Sequence, residues 1–264
     1  MPGAVGIVSD PSTNIDAQLL DVAGGSLKVV ANFGVGYDNI DVEAVSKRGV
    51  RATNTPDVLT NATAELAIAL MLAAARRIAE ADALVRNGAW LEEDELLGRE
   101  LAGATVGLVG FGRIASRVAE LLRCFEVHLL FSSRSEGREL GDLLASSDFV
   151  SLHVPLTTET RHLIDATRLA QMKRGAILVN TSRGAVIDTD ALVDALRTGE
   201  LGAAGLDVYE DEPHVPPELR ELPNTVLLPH LGSATGATRA AMARLCAENV
   251  LAVIEEREPP TPVV

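Results

Sequence analysis

The sequence predicts an α/β protein of two units, each with helices packed around a parallel sheet. Three observations carry that prediction. Short apolar runs alternate with longer amphipathic ones along most of the chain, the pattern of βαβ units. The length, 264 residues, corresponds to about two domains at roughly 150 residues each. A glycine-rich turn near residue 110 joins a strand-like run to a helix-like one. Hydrophobic residues make up 47% and charged residues 23%, ordinary soluble usage that excludes wholesale disorder.

Taken in order, AVGIVS (4–9), LKVVANF (27–33) and VRATNT (50–55) read as strands. IDAQLLDVAG (15–24) and DVEAVSKRG (41–49) read as the helices between them. A single long helix is expected over 61–87, its small and apolar residues covering nearly the whole circumference of the first half. Residues 88–103, with Trp90 and the four acids Glu92, Glu93, Asp94 and Glu95, read as an exposed arm. A second series of strands follows at 104–110, 126–132, 149–154, 176–181, 205–209 and 225–230. Helices lie between most of them, including 190–199, and a last amphipathic helix spans about 236–256.

Charge and composition narrow the partners. Lys plus Arg is 23 against 37 for Asp plus Glu, a net charge of −14, so no broad basic face for nucleic acid is expected. The opening MPGAVGIVSD lacks a basic stretch followed by an apolar core, so no export signal is expected. The longest apolar run, Ala67–Ala75, is too short to span a bilayer. Cys124 and Cys246 form no CxxC pair. They read as reduced, buried thiols rather than a disulfide or metal site. A cytoplasmic protein acting on a small molecule is the expectation.

The glycine turn is the most informative motif. The strand ATVGLVG runs into Gly110-Phe111-Gly112-Arg113-Ile114-Ala115 and then a helix. The first glycine permits the tight turn, the second lets backbone approach a pyrophosphate, and the small third residue allows close packing. The helix amino terminus then offers N–H groups to the anion. This is the dinucleotide loop of a Rossmann-type, doubly wound domain. At the end of the next strand, 20 residues beyond Gly112, stand Ser132, Ser133 and Arg134. An acid there would favour NAD; hydroxyls and a guanidinium favour NADP, with NAD the alternative. A solvated surface arginine is the other reading of Arg134.

Three later segments place polar residues at strand ends, where open α/β sheets hold ligands. They are Asn180-Thr181-Ser182-Arg183-Gly184, Gly205–Pro213 and Leu228–Ala234. With NFGVGYDNID (32–41), TNTPDVLTNATAELA (53–67), GLVGFGRIA (107–115), LVNTSRGAVID (178–188), GLDVYEDEP (205–213) and LPHLGSAT (228–235), the chain resembles the D-isomer-specific 2-hydroxyacid dehydrogenases. The resemblance covers essentially all of it and points to the glyoxylate/hydroxypyruvate reductase branch.

The resemblance implies a Rossmann-type NAD(P)-binding domain over 59–231. It also implies a flavodoxin-like substrate domain from 1–58, completed by a return helix in 232–264. Relatives begin with a further strand and helix, so the substrate domain is expected to be shortened by about 30–60 residues, with an exposed sheet edge. Arg183, Glu212 and His230 are implied as the catalytic trio, with Val35 and Gly36 holding the substrate carboxylate beside the contacts of Arg183 and His230. Implied cofactor contacts are Gly110, Gly112, Arg113, Ile114, Thr181, Ser182, Asp207 and Gly232, with His153, Val154 and Pro155 on the adenine side. Trp90 is implied in a homodimer arm. His128, His162 and His214 read as structural or surface residues.

Chemistry gives each of the trio a reason. A protonated histidine near neutrality can donate to the oxygen of a 2-oxo acid as hydride arrives at C2. A glutamate orients that ring and favours its charged form. An arginine presents a planar fork to carboxylate and carbonyl. The activity implied is hydride transfer from NADPH to glyoxylate or hydroxypyruvate, giving glycolate or D-glycerate. The alternatives are another D-2-hydroxyacid dehydrogenase, such as one acting on phosphoglycerate, or a non-catalytic NAD(P)-sensing module.

Overall fold

The computed structural model describes residues 3–91 and 96–264. Glu92, Glu93, Asp94 and Glu95 of the expected arm lie outside the described residues. The chain divides into two compact units, one formed by residues up to Ala62 with Ser233–Val264, the other by Thr63–Gly232.

In the first unit, three short strands alternate with two helices. They are β1 (Gly6–Ser9), α1 (Ala17–Ala23), β2 (Val29–Asn32), α2 (Val42–Lys47) and β3 (Arg51–Thr53). The strands are parallel in the order β1-β2-β3. Asp16 and Asp41 accept from amides in the first turns of α1 and α2, satisfying donors a helix start leaves unpaired. Ile7, Leu20, Val30 and Val45 supply the buried core. β1 is an edge strand, and its Val8 is exposed.

The second unit begins where α3 (Thr60–Ala75) enters it, followed by α4 (Ile78–Arg86). The expected single helix over 61–87 is therefore two. The break falls at Arg77, in left-handed conformation with φ 52°. Its cause lies further along the chain: the carbonyl of Ala75, which a continuing helix would give to residue 79, accepts from the Arg99 amide at 2.9 Å.

Six parallel strands follow in this unit: β4 (Thr105–Val109), β5 (His128–Ser132), β6 (Phe149–Leu152), β7 (Ala176–Asn180), β8 (Leu201–Leu206) and β9 (Thr225–Leu227). The helices between them are α5 (Arg113–Leu122), α6 (Leu140–Ser146), α7 (Ala166–Gln171), α8 (Thr189–Arg197) and α9 (Pro217–Arg220). The order is β5-β4-β6-β7-β8-β9, so the direction of winding reverses between β4 and β6. Loops diverge at such a reversal and leave a crevice at the carboxyl ends of the strands. Alternation along each strand divides the core. Val106, Leu108, Phe149, Ile177 and Val179 meet Leu70, Met71, Val118 and Leu122 on one face. Val150, Leu152, Leu178 and Leu206 meet Leu143, Leu192 and Leu196 on the other.

The strand expected at 205–209 is observed at Leu201–Leu206. LGAAGL has no β-branched residue, and its smallness is what places it in the sheet. A Cβ on Gly205 would stand 2.9 Å from the Cβ of Leu70, so glycine lets α3 lie close.

The chain returns to the first unit through α10 (Gly236–Ile254). Its last residues run antiparallel to β3, with the Val263 amide donating to Ala52 at 2.7 Å. Of the two thiols expected to be buried, Cys246 is; Cys124 is exposed, in the turn after α5, where its Sγ donates to the Leu121 carbonyl. Among the described residues, no helix is long and apolar enough to cross a membrane.

Candidate active site

The carboxyl ends of the strands in the second unit carry most of the residues singled out by sequence. At the end of β4, Gly110 has φ +87°, and a Cβ there would fall 2.5 Å from the His153 carbonyl oxygen. Glycine is required by the protein's own packing. Gly112 is different. Its φ of −90° suits any residue, and a Cβ there would meet nothing within 4 Å. Open space faces it, as a bound pyrophosphate needs. Gly112 also precedes α5 without any side-chain cap, whereas an Asp, Glu or Thr side chain caps α1, α2, α6, α7, α8 and α10. Ile114 lies in the uncapped first turn, Arg113 beside it is exposed, and Ala115 is fully buried. This cradle suits the diphosphate of a dinucleotide.

Ser132 ends β5, next to this loop. The Ser133 hydroxyl is turned inward, donating to the Glu136 carbonyl at 2.9 Å and accepting from its amide. Arg134 is exposed and faces the Glu159 carboxylate at 3.5 Å. After β6, His153, Val154 and Pro155 form the neighbouring wall. Among the described residues the His153 Nε2 is buried with no hydrogen-bond partner, and burial pushes its pKa down to about 4. That ring is neutral.

At the end of β7 the fully buried Asn180 organises the next turn. Its Oδ1 accepts from the Ser182 amide and hydroxyl at 2.9 and 2.7 Å, and its Nδ2 donates to the Arg183 carbonyl at 2.8 Å. Thr181 Oγ1 is buried without a partner among the described residues, and Arg183 Nη1 donates to the Ser182 carbonyl. Gly184 packs directly on the next loop, since a Cβ there would lie 1.8 Å from the Tyr209 carbonyl carbon. The Arg183 turn and the Glu212 loop therefore touch backbone to backbone.

Asp207, which follows β8, is 1% exposed. Its two oxygens accept from the amides of Leu231 and Gly232 at 2.6 and 2.7 Å, and its own carbonyl accepts from the His230 amide at 2.9 Å. Burial raises its pKa above the ordinary value, against the lowering effect of those amides and of His230. The Gly232 carbonyl accepts from Thr63 Oγ1 at 3.1 Å. His230 is held in this turn at φ 56°.

Glu212 Oε1 accepts from the Tyr209 amide at 3.0 Å, and Oε2 lies 2.7 Å from His230 Nδ1. Burial alone would raise the Glu212 pKa. The His230 hydrogen bond, the Tyr209 amide and the charges of His230 and Arg183 outweigh it and hold the carboxyl below its ordinary range. An ionised carboxylate only accepts, so Nδ1 of His230 carries the donated proton and Nε2 is left for chemistry.

In the first unit, the loop Gly34–Gly36 follows β2. Thr55 N–H donates to the Gly34 carbonyl at 3.0 Å and Asn32 Nδ2 to that of Gly36 at 2.7 Å. Among the described residues, the amides of Val35 and Gly36 have no protein acceptor. Of the remaining histidines, His128 and His214 are exposed, and His162 Nε2 meets Glu210 at 2.9 Å.

The family model for the D-isomer specific 2-hydroxyacid dehydrogenase, NAD binding domain, matches residues 68–232. The chain belongs to the D-isomer-specific 2-hydroxyacid dehydrogenase family. It is 49% identical over 271 residues to a glyoxylate reductase of Thermococcus litoralis, covering 96% of this chain and 82% of that one. A glyoxylate reductase of Aeropyrum pernix is 50% identical, over 93% of this chain and 78% of its own. Among solved structures, the TT0316 protein of Thermus thermophilus matches with a TM-score of 0.95 and 49% identity, covering 100% of this chain and 87% of that one. An NADPH-dependent glyoxylate/hydroxypyruvate reductase of Sinorhizobium meliloti, in complex with NADP and malonate, matches at TM-score 0.91 and 39% identity, with 99% and 84% covered. As a member of this family the chain is an NAD(P)-dependent oxidoreductase with a Rossmann-type domain.

Sequence reasoning missed Asn180 as the organiser of the Arg183 turn. It also gave Asp207 a cofactor contact without seeing that its carboxylate ties down the His230 turn. The Asn180 bonds are local, to residues two and three positions on, and an asparagine opening a turn at a strand end is the signal that could have found them. The Asp207 pairing has no local signature, because it depends on a loop 24 and 25 positions further along. Gly184→Ala should force the Tyr209–Glu210 backbone away and displace Glu212. The expected loss in kcat/KM is about 100-fold or more, measured beside a thermal melt showing that the variant remains folded.

Proposed function

We propose that this chain reduces small 2-oxo acids with NADPH, glyoxylate and hydroxypyruvate first, to glycolate and D-glycerate. The observation that carries the reading is the Glu212–His230 pair at 2.7 Å, on the strand ends of the sheet that carries the glycine cradle. The relatives named as glyoxylate reductases support the choice of substrate. When bound, the nicotinamide supplies hydride to C2 of the acid.

The rest of the chemistry falls to the chain's own residues. His230, its Nδ1–H held by Glu212, donates the Nε2 proton to the C2 oxygen as charge develops there. Glu212 keeps the imidazolium and its orientation favourable. Arg183 offers paired donors to carboxylate and carbonyl oxygens, a geometry that lysine does not reproduce. Val35 and Gly36 offer amide donors to the acid end. Thr181, Ser182, Asp207 and Gly232 border the nicotinamide portion.

NADPH is preferred on the absence of an acid at the end of β5 and on Arg134. The ion pair of Arg134 with Glu159 and the engagement of the Ser133 hydroxyl with the Glu136 backbone favour NADH. The exposed apolar side chains of Ile78 and Val85 on α4, and of Trp90, Leu91 and Leu97 after it, support a homodimer. Two free cysteines suit a cytoplasmic setting.

His230→Ala should lower kcat about 100- to 10,000-fold and leave NADPH affinity near its original value. Glu212→Gln should move the alkaline fall of reduction to lower pH, because the imidazolium loses its counter-charge. An unchanged pH profile in Glu212→Gln would contradict the pairing. On cofactor choice, the unmodified chain should use NADPH about tenfold or more better than NADH, and Arg134→Asp should reverse that order. Absorbance at the nicotinamide band reads both, and equal or better efficiency with NADH overturns the NADPH preference.

A further inference from the structure

Every carbonyl of the Gly34–Gly36 loop is occupied by a donor from its own unit. Gly34 receives the Thr55 amide, Gly36 receives Asn32 Nδ2, and Val35 receives Asn54 Nδ2 at 2.8 Å. With its acceptors engaged, the loop has only its amide donors left to offer, and a carboxylate is the ligand such donors suit.

The Asn54 contact is the end of a longer chain of bonds. Asn54 itself is fixed through its backbone, its carbonyl accepting from Thr261 Oγ1 at 2.6 Å and its amide donating to the Thr261 carbonyl at 3.3 Å. Thr261 is fixed in turn by Asn249 of α10. Asn249 Nδ2 donates to Thr261 Oγ1 at 2.8 Å, and Asn249 Oδ1 accepts from the Thr261 amide at 3.0 Å. Asn249 is fully buried. A polar side chain so placed on a helix otherwise packed on a sheet costs desolvation, and among the described residues its hydrogen bonds go to Thr261.

We propose that Asn249, Thr261 and Asn54 are positioning residues, a buried relay from α10 through the returning carboxyl-terminal segment that sets the Val35 peptide for the acid end of the substrate. The inference rests on the reading of Gly34–Gly36 as the carboxylate-binding loop. The relay touches neither cofactor nor reacting atoms. Its loss acts on substrate affinity and spares the chemical step.

The test compares Thr261→Val with Thr261→Ser, and adds Asn54→Asp as a variant of equal size that removes the Nδ2 donor. Steady-state rates give KM for glyoxylate, KM for NADPH and kcat. In parallel, amide NMR of the unmodified chain follows Val35 and Gly36 as malonate, an unreactive carboxylate, is added. Thr261→Val and Asn54→Asp should raise KM for glyoxylate about threefold to tenfold, with kcat within about twofold and KM for NADPH unchanged. Thr261→Ser, which keeps the hydroxyl, should restore KM.

If malonate shifts the Val35 and Gly36 amides while both variants keep the original KM, the relay is wrong and the loop reading stands. If malonate leaves those amides unmoved, the loop reading fails and the relay fails with it. Equal losses in kcat and in both KM values, or no rescue by serine, would show general damage and overturn the positioning role.

Discussion

Asp207 is the constraint on which the site depends. A carboxylate at the end of a central strand, 1% exposed, would be costly without partners. It has three contacts within one turn, two amides on its oxygens and the His230 amide on its carbonyl. Those bonds hold His230 at φ 56°, a conformation that costs a residue with a side chain about 1–3 kcal/mol. The turn so fixed presents the imidazole to Glu212. The ring is therefore placed by one acid and oriented by a second.

Glu212 needs a fixed loop of its own, and its support is backbone against backbone. Gly184 leaves no room for a Cβ against Tyr209, and the Tyr209 hydroxyl reaches the Leu228 carbonyl beyond β9 at 3.0 Å. Asn180 closes the Arg183 turn with three bonds from one amide side chain. Arg183, Glu212 and His230 thus stand on three turns at the ends of β7, β8 and β9, each pinned to a neighbouring strand end. Flexible surface loops could not hold a donor and its orienting acid to hydrogen-bond tolerance.

Much of this was legible in the sequence, and the exceptions have a common physical origin. The glycine turn carries local information: tight conformation at Gly110 and free space at Gly112. The strands of the second unit were readable because their runs alternate between two buried faces. The break at Arg77 was not, because its cause is the amide of Arg99, 22 positions beyond. The shift of β8 to Leu201–Leu206 was hidden because small residues chosen for helix contact resemble no strand. Ser133 was read as a cofactor hydroxyl, yet it closes on Glu136. The Asn249–Thr261–Asn54 relay joins residues up to 207 positions apart, and nothing in any one segment announces it.

The central claim is that Glu212 holds the Nδ1 proton of His230, leaving Nε2 as the position that serves the substrate. Nitrogen-15 NMR of the labelled imidazole, followed through its titration in the unmodified chain, tests it most directly. The account predicts that Nδ1 keeps its proton throughout while the Nε2 signal moves. A neutral ring carrying its proton on Nε2, with Nδ1 bare beside Glu212, would contradict it.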